Sequence, residues 1–386
     1  MDSSLLKRVD YRFLFFVIWL CFVFLFCMGF AKHYDYFSAP FVCFFAVIVA
    51  FQNQTKPKGM VKLLLFLFAI ATLTSYHYLF YSNLNGNILQ YVCYPSTAFL
   101  SSYAMYCYVS CNEISFFKIV QPLFIVFFCV AVYRYVRSEA LLSMAGLAGI
   151  QNNYFYFVLM PLPILFIKPQ SVVNYICLAT CIFICVVSLK RSAIIAICLI
   201  SFAFVVYQVL FESITKKLFL VLIAFVFGFY VVANDYFMQS FERSVKRIEH
   251  IESDRGSGRG DIIKRYFEDD VYDVTTFPEI FIGNGFQSFS NKYAGRLAAT
   301  HNDLLEVLYS YGFWGLFLYL FFIFRMFYMC FVLLKRKNTL FLSAVTCLIL
   351  FIVYGLFADV FCFFFFSMPL FLMVGILEAS ERRIVL

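Results

Sequence analysis

The chain has 386 residues, of which 63% are hydrophobic, 22% are aromatic and only 13% are charged. A water-soluble globule of this length would need far more polar surface than these residues supply. The formal charge of +8 does not indicate nucleic-acid binding, because most Lys and Arg lie in short connectors between apolar runs. The composition predicts a polytopic helical membrane protein with no nucleic-acid partner.

Apolar runs long enough to cross a bilayer as helices recur along the chain. Lys7, Arg8 and Arg12 precede the first run, which we interpret as an uncleaved span because no small-residue cleavage site follows it. Twelve spans are predicted, at residues 13–30, 38–52, 61–81, 91–111, 116–136, 152–167, 171–189, 192–211, 217–234, 312–334, 339–357 and 360–377. The expected fold class is therefore an all-α polytopic membrane protein with about 12 transmembrane helices.

The distribution of positive charge predicts the orientation of these spans. With the N-terminus in the cytoplasm, the inside connectors collect fifteen Lys and Arg. The short outside connectors hold five, namely Lys32, Arg134, Arg137, Lys190 and Arg191. This bias places both termini in the cytoplasm and one long hydrophilic loop outside. The chain then divides into helices 1–9 at 1–234, the loop at 235–302 and helices 10–12 at 303–386.

All fourteen cysteines lie in apolar runs or at their ends, and the long loop contains none. They have no His or carboxylate neighbours that would complete a metal site. We therefore expect them to pack as small hydrophobic residues, and we expect no metal ion or other cofactor.

The long loop contains two glycine-rich turns. Arg255 and Arg259 flank the first, DRGSGRGD, and Lys264 and Arg265 follow it. Exposed backbone amides and guanidinium groups together predict an anion site, and a solvated loop is the alternative. The second turn, IFIGNGF, contains Gly283 and Gly285, which let the backbone approach a ligand closely. Residues 239–252 are mostly polar but carry one apolar stripe at helical spacing, made of Phe241, Val245, Ile248 and Ile251. This pattern predicts a helix that lies on the membrane surface or packs within the loop.

His301 is a candidate proton acceptor. The segment THND reads as a helix start, with Thr300 as N-cap and Asp303 at the third helical position. His301 would then lie in the first turn, where the helix dipole favours a neutral imidazole. The alternative is that His301 is only a polar residue at a helix start, with no role in proton transfer. Asn302, beside it, is a candidate substrate contact.

Two arginines stand out by position. Arg191 lies in the outer hairpin SLKRS, although the charge bias favours cations on the inner side. A cation at this position is expected to have a partner or a function. The alternative is a side chain that only extends from the membrane edge towards water. Arg325 falls near the middle of the tenth predicted span. Arg325 is either a functional charge within the membrane or a charge that faces other helices.

Four fragments in this order, SLKRS, SGR, IGNGF and HNDLLEVLYSYGFWG, resemble the O-antigen polymerase and O-antigen ligase superfamily of bacterial inner membranes. The resemblance implies a GT-C-like fold and a metal-independent glycosyltransferase acting at the periplasmic face. It implies a glycan on undecaprenyl pyrophosphate as donor, and Arg191, Arg259 and His301 as the residues that carry the reaction. Arg255 has no family counterpart.

The function expected is that of a polymerase, which uses undecaprenyl-pyrophosphate-linked oligosaccharide as donor and as acceptor. Membrane lipid, a chain-length regulator and a flippase are further partners to consider. The nearest alternative is the ligase, which moves finished glycan onto lipid A-core. A flippase is expected to carry charges along its membrane cavity and to need no large loop. A classical GT-C mannosyltransferase would want paired acids in the first outer loop, where only Asp35 occurs.

Overall fold

The structure is a computed structural model, and it describes residues 11–28, 34–81, 88–144, 155–167, 171–188, 191–211, 277–286, 302–357, 360–361 and 364–385. Every regular element in these ranges is a helix. In chain order they are α1 (Tyr11–Met28), α2 (Tyr34–Asn53), α3 (Gly59–Tyr81), α4 (Ile88–Cys111), α5 (Glu113–Met144), α6 (Phe155–Leu159), α7 (Leu162–Leu165), α8 (Val172–Ser188), α9 (Arg191–Phe211), α10 (Phe277–Ile282), α11 (Asp303–Lys335), α12 (Phe341–Phe357) and α13 (Phe364–Val385).

Some of the described helices have the length and composition of membrane helices. Within the described residues, three segments are long and apolar enough to cross a membrane, namely Val120–Ala140, Ser192–Phe211 and Asp303–Lys335, and shorter apolar helical segments accompany them. The outward face of α11 carries large apolar side chains, with Phe324 66% and Phe331 63% exposed. Such a face suits a lipid environment better than water. The expected all-helical class is confirmed, and the apolar helices fit a membrane protein.

One predicted span is wrong as a single helix. The span at 152–167 consists of two short segments, because α6 ends at Leu159 and α7 begins at Leu162. Pro161 and Pro163 have no N–H to continue the hydrogen-bond ladder of α6, so the helix ends there. The predicted span at 217–234 lies outside the described residues, as does the predicted surface helix at 239–252.

Helix α5 is longer than its predicted span. It continues to Met144, so Arg134 and Arg137 lie within a helix and not in a connector as predicted. Residues 134–144 contain Arg, Glu, Ala and Leu but neither Gly nor Pro, which allows the helix to extend beyond the apolar run.

Helices from both sides of the long loop pack together. Helix α13 packs on α4, α11 packs on α3, and α12 packs on α9. The rings of Phe211 and Phe341 stack with centroids 5.8 Å apart, which joins the end of α9 to the beginning of α12. The upper end of the bundle is the end at which α9 and α11 begin and at which α12 terminates. Helices α3 and α12 begin, and α13 ends, at the lower end.

Arg325 lies level with the beginning of α3, nearer the lower end than the predicted position at mid-span. Its Nη2 atom lies 3.6 Å from Glu378 Oε1 and also donates to Glu381 Oε2, both on α13. The other oxygen of Glu378 accepts from the Met60 N–H at 3.0 Å. Gly59, with φ +44°, leaves room for that carboxylate. The Arg325 cluster, made of these five residues, joins α3, α11 and α13.

We predict that Arg325→Met lowers the free energy of unfolding by about 1–3 kcal/mol, because two carboxylates in a poorly hydrated position lose their cation. The midpoint of thermal unfolding of the purified protein in detergent measures this. Lys335→Met, on the exposed surface of the same helix, is the matched control and should leave the midpoint unchanged.

Neutralising the two carboxylates in the Arg325→Met protein, with Glu378→Gln and Glu381→Gln, should recover part of the lost stability. An Arg325→Met protein that unfolds at the wild-type temperature would contradict an ionic role for this cluster.

Candidate functional site

The upper part of α11 is separated from the rest of the helix by a break at Gly312. This residue has φ 66° and ψ −168°, so it does not continue the helix. The two parts cover residues 303–311 and 313–335. A positive φ of this size is readily adopted by glycine and strained for other residues. A break of this kind leaves carbonyl groups of the preceding turn short of their usual partners.

The loop 283–286, which follows α10, supplies partners for two of those carbonyl groups. The Asn284 N–H donates to the Tyr309 carbonyl at 2.9 Å, and the Gly285 N–H donates to the Ser310 carbonyl at 2.9 Å. The Asn284 side-chain amide also donates to the Tyr309 carbonyl, at 3.3 Å. The IGNGF and HNDLLEVLYSYGFWG fragments are therefore in direct contact.

Gly283 and Gly312 lie against one another at this junction. Gly283 has φ +90°, and a Cβ atom placed on it would fall 2.5 Å from both the Gly312 nitrogen and the Ser310 oxygen. Gly285 also has a positive φ, of 94°. Both loop glycines, predicted as substrate contacts, thus shape the loop against α11. Their contact with a substrate stays a prediction.

Asn302, not Thr300, is the N-cap of α11. Its side-chain oxygen accepts from the Leu304 N–H at 2.9 Å and the Leu305 N–H at 3.4 Å. The helix therefore begins at Asp303, later than predicted, and His301, which was predicted to lie in its first turn, is outside the described residues. Asn is a stronger N-cap than Thr, which accounts for the later start. The side-chain oxygen of Asn302 thus caps the helix, and the predicted contact of this residue with substrate stays a prediction.

Two carboxylates are buried in the first turn of α11, with 0% exposure for Asp303 and 1% for Glu306. Asp303 Oδ1 accepts from the Phe361 N–H at 3.0 Å, and Glu306 Oε1 accepts from the Ser310 hydroxyl at 2.8 Å. Gly355 passes so close that a Cβ atom on it would lie 2.9 Å from Asp303 Oδ2. The helix dipole favours negative charge here. From the sequence, Asp303 is predicted only as a capping residue.

The beginning of α9 is linked to the beginning of α11 through two tyrosines. Arg191 is the first residue of α9. The hydroxyl of the next residue, Ser192, lies 3.2 Å from the Tyr156 hydroxyl. The Tyr156 ring meets the Tyr354 ring edge to face, with centroids 4.8 Å apart. The residue after Tyr354 is the glycine against Asp303. The structure thus brings the starts of these two helices to the upper end of the bundle.

The other site residues predicted from the sequence lie outside the described residues. These are Arg255, Arg259, Lys264, Arg265 and His301. Within the described ranges, no group of three or more His, Cys, Asp or Glu residues could hold a metal ion.

No protein-family model matches the chain, and no curated protein matches it. The function proposed for it depends on its own residues and their arrangement.

We predict that Gly283→Ala and Gly312→Ala each lower the free energy of unfolding by about 1–3 kcal/mol, because both residues have positive φ and face backbone atoms. The thermal midpoint and the yield of monodisperse protein measure the loss. Asn284→Ala is the control, since it removes only the longer side-chain bond and should cost less than about 1 kcal/mol. Wild-type midpoints for both alanine variants would show that the junction does not depend on close backbone contact.

Proposed function

We propose that the chain is an O-antigen polymerase, a glycosyltransferase of the bacterial inner membrane with a GT-C-like arrangement of helices. It joins oligosaccharide repeat units carried on undecaprenyl pyrophosphate at the periplasmic face, with both termini in the cytoplasm. The observation that carries the proposal is that separate fragments of the sequence signature lie at one end of the bundle. The IGNGF and HNDLLEVLYSYGFWG fragments are in direct contact, and the fragment around Ser192, much earlier in the chain, lies at the same end of the bundle, where its hydroxyl meets that of Tyr156.

The chemistry assigned to this end follows from the residue types. Cleavage of the anomeric carbon from pyrophosphate builds negative charge on the departing phosphates, which the Arg191 and Arg259 guanidinium groups stabilise. The attacking sugar hydroxyl needs a proton acceptor, and we assign this role to a neutral His301. Pyrophosphate is already a competent leaving group, so we propose a reaction that needs no general acid and no metal ion.

Deletion of the gene should leave lipid A-core capped by a single repeat unit, because a separate ligase still transfers unpolymerised donor. A gel of surface lipopolysaccharide from the deletion strain, with a complemented strain as control, shows this directly. Bare core together with long polymer on undecaprenyl pyrophosphate would instead identify the chain as the ligase. An unchanged ladder in the deletion strain would exclude both activities.

Arg191→Lys and Arg259→Lys should each lose most of the polymerising activity, because lysine cannot hold two phosphate oxygens with a planar fork. His301→Asn should abolish it, because an amide cannot accept the proton. The glycan ladder, normalised to the amount of protein in the membrane, measures all three. Arg336→Lys, at the lower end, is the matched control and should keep the wild-type ladder. Wild-type ladders from both site Lys variants would remove the arginines from the mechanism.

A further inference from the structure

We infer that Asp303 is a positioning residue of this site. Its carboxylate acts as a hydrogen-bond acceptor that fastens the beginning of α11 to the connector between α12 and α13. The consequence for catalysis rests on the proposed function, whereas the fastening itself does not. Nothing in the sequence motifs assigns this role, because an acidic residue beside a helix start is ordinarily a solvated cap.

The bond that carries the inference is buried and joins two elements. Asp303 has no exposed surface, and its Oδ1 atom lies 3.0 Å from the Phe361 nitrogen. The connector N–H is not part of a helix, so its partner must come from a side chain or another segment. A buried amide without a partner costs about 1–3 kcal/mol. Asp303 therefore satisfies a group that the surrounding apolar side chains cannot.

Phe361, at the other end of this bond, is held by its own ring contacts. The Phe361 ring packs on the Tyr319 ring at 5.1 Å and on the Phe371 ring at 5.4 Å, both nearly edge to face. Phe351 and Phe364 also lie against it, at 6.4 and 6.2 Å. Aromatic pairs contribute about 0.5–1.5 kcal/mol each beyond their buried area. Asp303 is thus tied to a fixed point of the bundle and not to a free loop.

The same aromatic cluster holds the end of the glycine-containing loop. Phe286 stacks on Phe364 with centroids 5.7 Å apart, and the loop before it bonds to the carbonyls at the break in α11. The start of α11, the connector and the loop therefore form one packed unit. Asn302, the cap of the helix, immediately precedes Asp303, so a displacement of Asp303 also moves the cap.

The carboxylate is placed to accept a hydrogen bond from the protein and not a proton from a substrate. A general base must reach the hydroxyl that it deprotonates, whereas Asp303 is fully covered. An asparagine side chain has nearly the same shape, and its oxygen can accept the same bond from Phe361. Asp303→Asn therefore separates the two roles: it keeps the acceptor and removes the negative charge.

The test uses the full-length protein in lipid vesicles that contain an undecaprenyl-pyrophosphate-linked repeat unit. Asp303→Ala should lower kcat at least about tenfold while KM for this donor changes less than about threefold, because the groups that bind phosphate remain. Asp303→Asn should keep kcat within about threefold of wild type. Hydrogen–deuterium exchange should show loss of protection at residues 360–361 in Asp303→Ala and its retention in Asp303→Asn.

Two controls make the outcome decisive. Ser310→Ala removes a buried hydrogen bond that stays within α11 and should leave kcat within about threefold. Asp303→Leu, which fills the space that alanine empties, replaces Asp303→Ala if that variant is not recovered as folded protein.

Asp303→Asn protein that is folded but as inactive as Asp303→Ala would overturn the inference, because the charge itself would then be required. Full activity of Asp303→Ala, or of Asp303→Leu where that variant takes its place, would overturn it as well. A wild-type protein without polymerising activity would refute the proposed function alone. The exchange at residues 360–361 would still decide the positioning role, which fails if protection is the same in all variants.

Discussion

The break in α11 depends on the fit between Gly283 and Gly312, which brings a loop against a helix with no side chain between them. An interrupted helix among apolar side chains has carbonyl groups that lipid cannot satisfy, and each costs several kcal/mol if it stays unpaired. The loop meets this need with its own N–H groups. The upper end of the bundle can therefore hold a short helix, a connector and a loop instead of uniform spans, and this irregular backbone is where we place the site.

Helix α11 connects that site to the opposite end of the protein. Its first turn is tied to the α12–α13 connector by Asp303, and Arg325, on its lower half, binds two carboxylates of α13. The first attachment is to the connector that precedes α13, and the second is to α13 itself. Helix α13 in turn packs along α4. The helix that carries the candidate site is thus held at two levels by polar contacts, while its outward face offers apolar side chains to lipid.

Much of the fold follows from the sequence, because a run of about 18 apolar residues has few stable arrangements other than a membrane helix. The helix ends were less predictable. Asn302 is a stronger cap than Thr300, and the prolines at 161 and 163 divide a run that looks continuous by hydropathy. The role of Asp303 could not be predicted, because its partner, Phe361, lies 58 residues away in the chain. The link from Ser192 through Tyr156 to Tyr354 likewise exists only after the helices have packed.

We propose that the upper end of the bundle transfers glycans between lipid carriers. Purified protein in lipid vesicles, given only an undecaprenyl-pyrophosphate-linked repeat unit and a metal chelator, tests it most directly. We expect lipid-linked products that lengthen by whole repeat units, with one undecaprenyl pyrophosphate released for each bond formed, and no such products from the His301→Asn protein. Unchanged substrate with folded wild-type protein, or equal extension by the His301→Asn protein, would contradict it.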